Sequence, residues 1–124
     1  MSAATLEGRR ILVVEDEYMI AMDIQEELEG AGALVAGPVP TVGEALRLLG
    51  REPALDGAVL DVNLGGERSF PVAEALEDKG IPFLFATGYN SADIPDKWRQ
   101  ARIEVKPLRI AAAVARLLAN SDAA

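Results

Sequence analysis

Short apolar runs recur five times along the chain, each of a length that suits one strand. The first, ILVV at 11–14, is uninterrupted, which is typical of a strand buried on both faces. The second, at 33–36, ends at Gly37-Pro38, a dipeptide that favours a turn. The others occupy 58–60, 83–86 and 102–105. The pattern therefore predicts five strands.

Segments with helical periodicity separate these runs. Ile20, Ile24 and Leu28 recur every four residues, which predicts the buried face of a first helix. Gly30 and Gly32 are expected to stop it. Three further helices are predicted from the capping-box pair Thr41 and Glu44, from the start Ser69-Phe70-Pro71 with a stop near Gly80, and from the Ala- and Leu-rich segment 108–119.

The segment 93–100 is the least regular, because Pro95 allows only a very short helix after it. Trp98 within it, and Tyr18 near the first strand, are interpreted as partly exposed aromatic residues that serve an interface. Strands that alternate with helices predict an α/β fold, in which a doubly wound parallel sheet of five strands carries helices on both faces. These elements use nearly all of the chain, so a separate output domain is not expected.

The amino-acid composition excludes several classes of catalytic and binding site. The chain has 124 residues, no Cys and no His, which excludes disulfides, thiol nucleophiles, Cys/His zinc sites and Ser-His-Asp triads. Its 12 basic and 20 acidic residues give a net charge of −8, so we expect no nucleic-acid binding. No apolar run approaches the about 20 residues of a membrane span, and the first eight residues lack a signal pattern. A cytoplasmic protein without membrane contact is expected.

Residues suited to phosphoryl chemistry follow four of the five predicted strands. Glu15 and Asp16 follow the first, Asp61 the third, Thr87 the fourth and Lys106 the fifth. Because ligands of doubly wound sheets bind beyond the carboxyl ends of the strands, these side chains are expected to converge. Carboxylates that converge repel each other unless a cation lies between them, and Mg²⁺ prefers oxygen ligands. A carboxylate can also attack phosphorus and form an acyl phosphate.

The motifs at these strand ends resemble those of the receiver domain of two-component response regulators. They are ILVVEDE at 11–17, VLDVN at 59–63, FATG at 85–88 and VKP at 105–107. The resemblance covers 9–119 and leaves 1–8 and 120–124 as tails. It implies the flavodoxin-like strand order 2-1-3-4-5. In addition, PFLFATGY at 82–89 resembles the PFxFATGY motif of a receiver subfamily that is often single-domain.

The resemblance also implies a role for each site residue. Asp61 would be the phosphoacceptor and Asp16 a direct Mg²⁺ ligand. Asn63 would complete the metal site with its backbone carbonyl, and Glu15 would act through a metal-bound water. Lys106 would pair with the phosphoryl group, ahead of a cis bond to Pro107.

The switch expected of a receiver departs from the usual pattern here. Thr87 matches the switch hydroxyl, but Ile103 stands where most receivers carry an aromatic switch residue. Tyr89, which follows Thr87 in the PFxFATGY motif, is the candidate coupling residue instead.

The function implied is that of a phosphoacceptor rather than a classical enzyme. A sensor histidine kinase, such as the HWE type associated with the PFxFATGY subfamily, or a phosphotransfer protein would supply the phosphoryl group. A downstream protein would bind the phosphorylated form, and the chain would be a monomer or weak dimer. The main alternative is a degenerate receiver that only binds proteins. An aspartyl-phosphate phosphatase is disfavoured because Asn63 replaces the second acid of its DxD loop. A flavin-binding protein is disfavoured because acids replace the phosphate loop after the first strand.

Overall fold

A computed structural model describes residues 6–51, 54–87, 94–104 and 110–123. Its strands are β1 (Arg10–Val14), β2 (Leu34–Val39), β3 (Gly57–Asp61), β4 (Asn63–Leu64), β5 (Glu67–Arg68), β6 (Phe83–Thr87) and β7 (Arg102–Glu104). Its helices are α1 (Tyr18–Gly30), α2 (Val42–Arg51), α3 (Phe70–Asp78) and α4 (Ile110–Ala123), with a 3₁₀ helix over Asp96–Ala101. Among the described residues, no helix combines the length and apolar character that crossing a bilayer requires.

Five of the strands form one parallel sheet in the order β2-β1-β3-β6-β7. Counted without the short strands β4 and β5, this is the predicted order 2-1-3-4-5. Alternate residues of β1 serve opposite faces, because Leu12 belongs to one core cluster and Ile11 to the other. Helices α2 and α3 cover the first cluster, whereas α1 and α4 cover the second. The doubly wound α/β prediction is confirmed.

The second strand is longer than its sequence predicts. β2 continues through Gly37-Pro38, whose peptide bond is cis, to Val39. The pairing of β1 with β2 is irregular between Leu12 and Val14. Gly37 lies at this irregularity and has a φ of 95°. A Cβ at Gly37 would lie 2.8 Å from the Val39 nitrogen, so only glycine fits there. The expected stop at Gly37-Pro38 is therefore wrong, because the dipeptide accommodates an irregularity within the strand.

Two predictions about hydrophobic side chains also need correction. Ile20 is 37% exposed, and the buried row of α1 is Ala21, Ile24 and Leu28. Trp98 is only 4% exposed, packed between the rings of Phe70, Phe83 and Phe85. Tyr18 is exposed, as expected.

The ends of the packed region extend beyond the boundaries drawn from sequence. Leu6 is fully buried against the cluster that contains Ile24 and Leu28, and α4 continues to Ala123. Arg9 adds an ion pair to Asp122 in the last turn of α4. Leu6 therefore packs against the core, and residues 120–123 continue the last helix.

Two helix starts test the capping predictions. The Glu44 backbone N–H donates to Thr41 Oγ1 at 3.1 Å, so the predicted cap of α2 is confirmed. Ser69 stands at the N-cap of α3, with Pro71 in the first turn, but its side chain caps nothing. Its Oγ is buried and has no hydrogen-bond partner among the described residues.

Thr41→Ala should destabilise the fold by about 1 kcal/mol, the usual cost of an N-cap side chain. The reason is that the Glu44 N–H loses its acceptor. Urea unfolding followed by far-UV circular dichroism measures the change. Thr41→Ser keeps the hydroxyl and should unfold close to wild type; an equal loss in both variants would show that the threonine methyl group, not the cap, matters.

Candidate functional site

Three side-chain carboxyl groups converge at the C-terminal ends of the parallel strands. We call this end of the sheet its carboxyl edge. Glu15 follows β1 and Asp61 is the last residue of β3, and these strands are paired neighbours. Side-chain oxygens of Glu15, Asp16 and Asp61 lie within 4.8 Å of one another. We call these three residues the acidic pocket.

Burial differs across the acidic pocket. Glu15 is 7% exposed, Asp61 is partly buried, and Asp16 is exposed. A backbone hydrogen bond fixes the position of Glu15, because its N–H donates to the Val39 carbonyl at 3.0 Å. The Glu17 N–H donates to Glu15 Oε2, also at 3.0 Å. The pocket is therefore closed on the Glu15 side and open to water on the Asp16 side.

Burial and nearby negative charge disfavour the ionised forms of Glu15 and Asp61. Burial is the main cause that raises the pKa of Glu15 to about 8, and the charge of Asp61 adds to it against the hydrogen bond from Glu17. Burial likewise raises the pKa of Asp61, although a hydrogen bond with Glu15 and the backbone N–H groups of Asn63 and Val62 favour its charge. A cation among these oxygens would remove the conflict, and an all-oxygen set suits a hard ion such as Mg²⁺.

An unpredicted hairpin borders the acidic pocket. Strands β4 and β5 pair as Asn63↔Arg68 and Leu64↔Glu67, joined by a two-residue Gly65-Gly66 turn. The Gly66 N–H donates to Asn63 Oδ1 at 2.9 Å, so the Asn63 side chain is engaged in the turn. The predicted ligand is a different atom, the backbone carbonyl oxygen of Asn63, and its role stays a prediction. A Gly-Gly pair between short runs is a hairpin signal that the sequence does contain.

The other predicted residues are placed only in part. Thr87 ends β6, and because Asp61 pairs with Ala86, Thr87 lies one residue beyond the end of β3. Lys106, its bond to Pro107, and Tyr89 lie outside the described residues. Ile103 forms part of β7 and pairs with Ala86.

Gly65 also borders the acidic pocket, which the sequence pattern does not predict. A Cβ built on this residue would lie 3.6 Å from Asp16 Oδ2, so the hairpin turn reaches the acidic pocket. Only the folded hairpin reveals this proximity, because Gly65 and Asp16 are far apart in sequence.

Curated proteins include relatives of this chain. No protein-family model matches the sequence. The chain is 33% identical over 81 residues to the phyllosphere-induced regulator PhyR of Methylorubrum extorquens, a match that covers 64% of this chain and 30% of that protein. The chain thus spans less than a third of this curated relative.

Solved structures match over nearly the whole chain. SdrG from Sphingomonas melonis Fr1 is 39% identical, with 98% of both chains covered and a TM-score of 0.73. A second SdrG structure, in a BeF3-activated conformation, is 42% identical, covers 95% of this chain and 99% of that one, and has a TM-score of 0.71. A response regulator receiver protein from Sinorhizobium medicae is 26% identical over 94% of this chain and 98% of its own, with a TM-score of 0.77. With its sheet order and strand-end acids, the chain belongs to the receiver-domain family of response regulators.

Proposed function

We propose that this receiver accepts a phosphoryl group on Asp61 from the phosphohistidine of a sensor kinase or phosphotransfer protein. The observation that carries the proposal is the convergence of Glu15, Asp16 and Asp61 within 4.8 Å at the ends of paired strands. A structural role does not account for Glu15 and Asp61 lying together, partly buried, with raised pKa values beside a third acid. They serve a cation and a reacting phosphoryl group instead.

The transfer forms one bond and breaks one. An Asp61 carboxylate oxygen attacks phosphorus and the P–N bond to the donor histidine breaks. The imidazole nitrogen keeps the electron pair and takes a proton from the solvent. Mg²⁺ bound by Asp16, Asp61 and the Asn63 carbonyl, with Glu15 holding one of its waters, would neutralise the carboxylates and the phosphoryl oxygens. Water later attacks phosphorus and restores the Asp61 carboxylate with release of phosphate.

The remaining motif residues would read and stabilise the new group. In this proposal Lys106 pairs with a phosphoryl oxygen and Thr87 donates its hydroxyl to another, with Tyr89 following the movement of Thr87. The end of β6 beside the end of β3 supports the place given to Thr87. A downstream protein would then bind the altered surface, so the signal leaves through protein contact.

A small phosphodonor tests this proposal directly. The protein is incubated with acetyl phosphate, with and without Mg²⁺, and its intact mass is measured. One Mg²⁺-dependent phosphoryl adduct is expected. If neither acetyl phosphate nor any phosphorylated histidine kinase of the source organism gives an adduct, the phosphoacceptor role is wrong and the degenerate receiver takes its place.

Exposed apolar side chains beside the acidic pocket offer the donor a docking surface. Tyr18 is 72% and Met19 69% exposed at the start of α1, two to three residues after Asp16. Adjacent apolar side chains exposed to water are typical of protein contacts. A donor protein bound there would bring its phosphohistidine over Asp61.

The double variant Tyr18→Ala, Met19→Ala should slow transfer from a donor kinase about tenfold, since loss of central interface side chains costs about 1–2 kcal/mol or more. Phosphorylation by acetyl phosphate should stay unchanged, because this donor needs no docking surface. Radiolabel transfer at limiting kinase concentration measures the first rate, and intact mass the second.

Leu34→Ala is the matched control. Leu34 is 50% exposed, but it starts β2 and pairs with Arg10, the first residue of β1. It therefore lies at the N-terminal ends of the strands, opposite the carboxyl edge. This substitution should not slow phosphorylation by either donor. Equal slowing by Leu34→Ala, or equal slowing with acetyl phosphate, would contradict docking on Tyr18 and Met19.

A further inference from the structure

The turn of the β4–β5 hairpin lies beside the most exposed acid of the pocket. Gly65 and Gly66 have φ values of 62° and 94°, which fit a type I′ turn that requires positive φ at both central residues. Asn63 holds the turn in place through its bond to the Gly66 N–H. The position of Gly65 next to Asp16 is therefore a fixed feature of the hairpin.

The two glycines differ in what a side chain would meet. A Cβ on Gly65 would lie 3.6 Å from Asp16 Oδ2, whereas a Cβ on Gly66 has no atom within 4 Å. The turn geometry asks for glycine at both positions, but only Gly65 adjoins the acidic pocket. An added methyl group would thus affect Asp16 from one position and not from the other.

Water reaches the acidic pocket from the side that Gly65 borders. Glu15 is buried and Asp61 partly buried, while Asp16 is exposed. A bound Mg²⁺ keeps several of its waters, and these need room on the open side of its ligands. A methyl group 3.6 Å from Asp16 Oδ2 would take that room and remove water from the carboxylate.

We propose that Gly65 is a positioning residue for the cation site: its missing side chain keeps the Asp16 side of the acidic pocket open to the water shell of the ion. Asn63 contributes by locking the turn that sets this distance. The inference rests on the proposed function, because it assumes a hydrated divalent ion among the three acids.

Gly65→Ala and Gly66→Ala form a matched pair for the test. Both introduce the same methyl group at positive φ, so both carry similar backbone strain. Gly65→Ala should weaken Mg²⁺ binding about tenfold, the lower end of the usual effect of altering residues around metal ligands. Gly66→Ala should bind as wild type. Isothermal titration calorimetry gives the affinity, and water-proton relaxation with Mn²⁺ in place of Mg²⁺ should show fewer exchanging waters in Gly65→Ala alone.

Each outcome has a distinct meaning. Wild-type affinity in Gly65→Ala, or equal weakening in both variants, overturns the role of Gly65 and leaves the proposed function standing. A wild-type protein that binds no Mg²⁺ overturns the cation site itself, and the inference falls with it. If Gly65→Ala unfolds, Gly65→Asn and Gly66→Asn repeat the comparison, because asparagine tolerates positive φ.

Discussion

Asp61→Asn is expected to remove all phosphoryl adduct, from acetyl phosphate and from a donor kinase alike, while the protein stays folded. The carboxylate oxygen is the nucleophile in the proposed transfer, and an amide oxygen is too weak a nucleophile to replace it. The change also removes one of three mutually repelling acids, so the metal-free variant should unfold at or above the wild-type temperature. Intact mass and thermal unfolding by circular dichroism measure the two effects.

Asp78→Asn provides the control for Asp61→Asn. Asp78 is exposed at the end of α3, away from the carboxyl edge, and its variant should be phosphorylated like wild type. An adduct retained in Asp61→Asn would place the phosphoryl group on another residue. A variant that fails to fold would instead give Asp61 a structural role.

The sheet could be predicted from sequence because its signals are local. Uninterrupted apolar runs such as 11–14 identify strands that are buried on both faces. Helices between them require parallel strands, and the ends of parallel strands share one edge. Glu15, Asp16 and Asp61 are therefore predicted to lie close together, and in the structure their side-chain oxygens lie within 4.8 Å of one another.

The features that were missed depend on contacts between distant segments. Trp98 is buried because α3 and β6 supply Phe70, Phe83 and Phe85 around it, which no periodicity of its own segment indicates. Ile20 has the right spacing for the core, but it lies near the open start of α1, where no neighbour covers it fully. In the same way, the proximity of Gly65 to Asp16 exists only once the hairpin folds back on the pocket.

Glu15→Gln should change how the metal-free protein responds to pH. The pKa of Glu15 is about 8 in the folded protein, raised from an ordinary value of 4.5 mainly by burial. Between these two pH values the folded state binds more protons than the unfolded state, so wild-type stability should fall as pH rises. The raised pKa of Asp61 acts in the same direction. Glutamine carries no proton to lose and can still accept the Glu17 N–H, so the variant should be the more stable protein near pH 8.

The same linkage predicts how Mg²⁺ binding depends on pH. Since the ion needs ionised carboxylates, its binding to wild type should release protons and strengthen from about pH 6 to about pH 8. Glu15→Gln should bind Mg²⁺ more weakly near pH 8, where wild type holds the additional charge, and with a smaller pH dependence. Thermal unfolding in EDTA and titration calorimetry in buffers of different ionisation heat measure both effects.

Glu26→Gln separates this effect from the loss of one negative charge. Glu26 is exposed on α1, so its variant should keep the wild-type pH dependence of both stability and Mg²⁺ binding. If wild-type stability in EDTA does not fall between about pH 5 and about pH 8, Glu15 is already ionised in the folded protein. The three carboxyls would then tolerate their charges without a cation, and the strongest physical reason for a metal site between them would disappear.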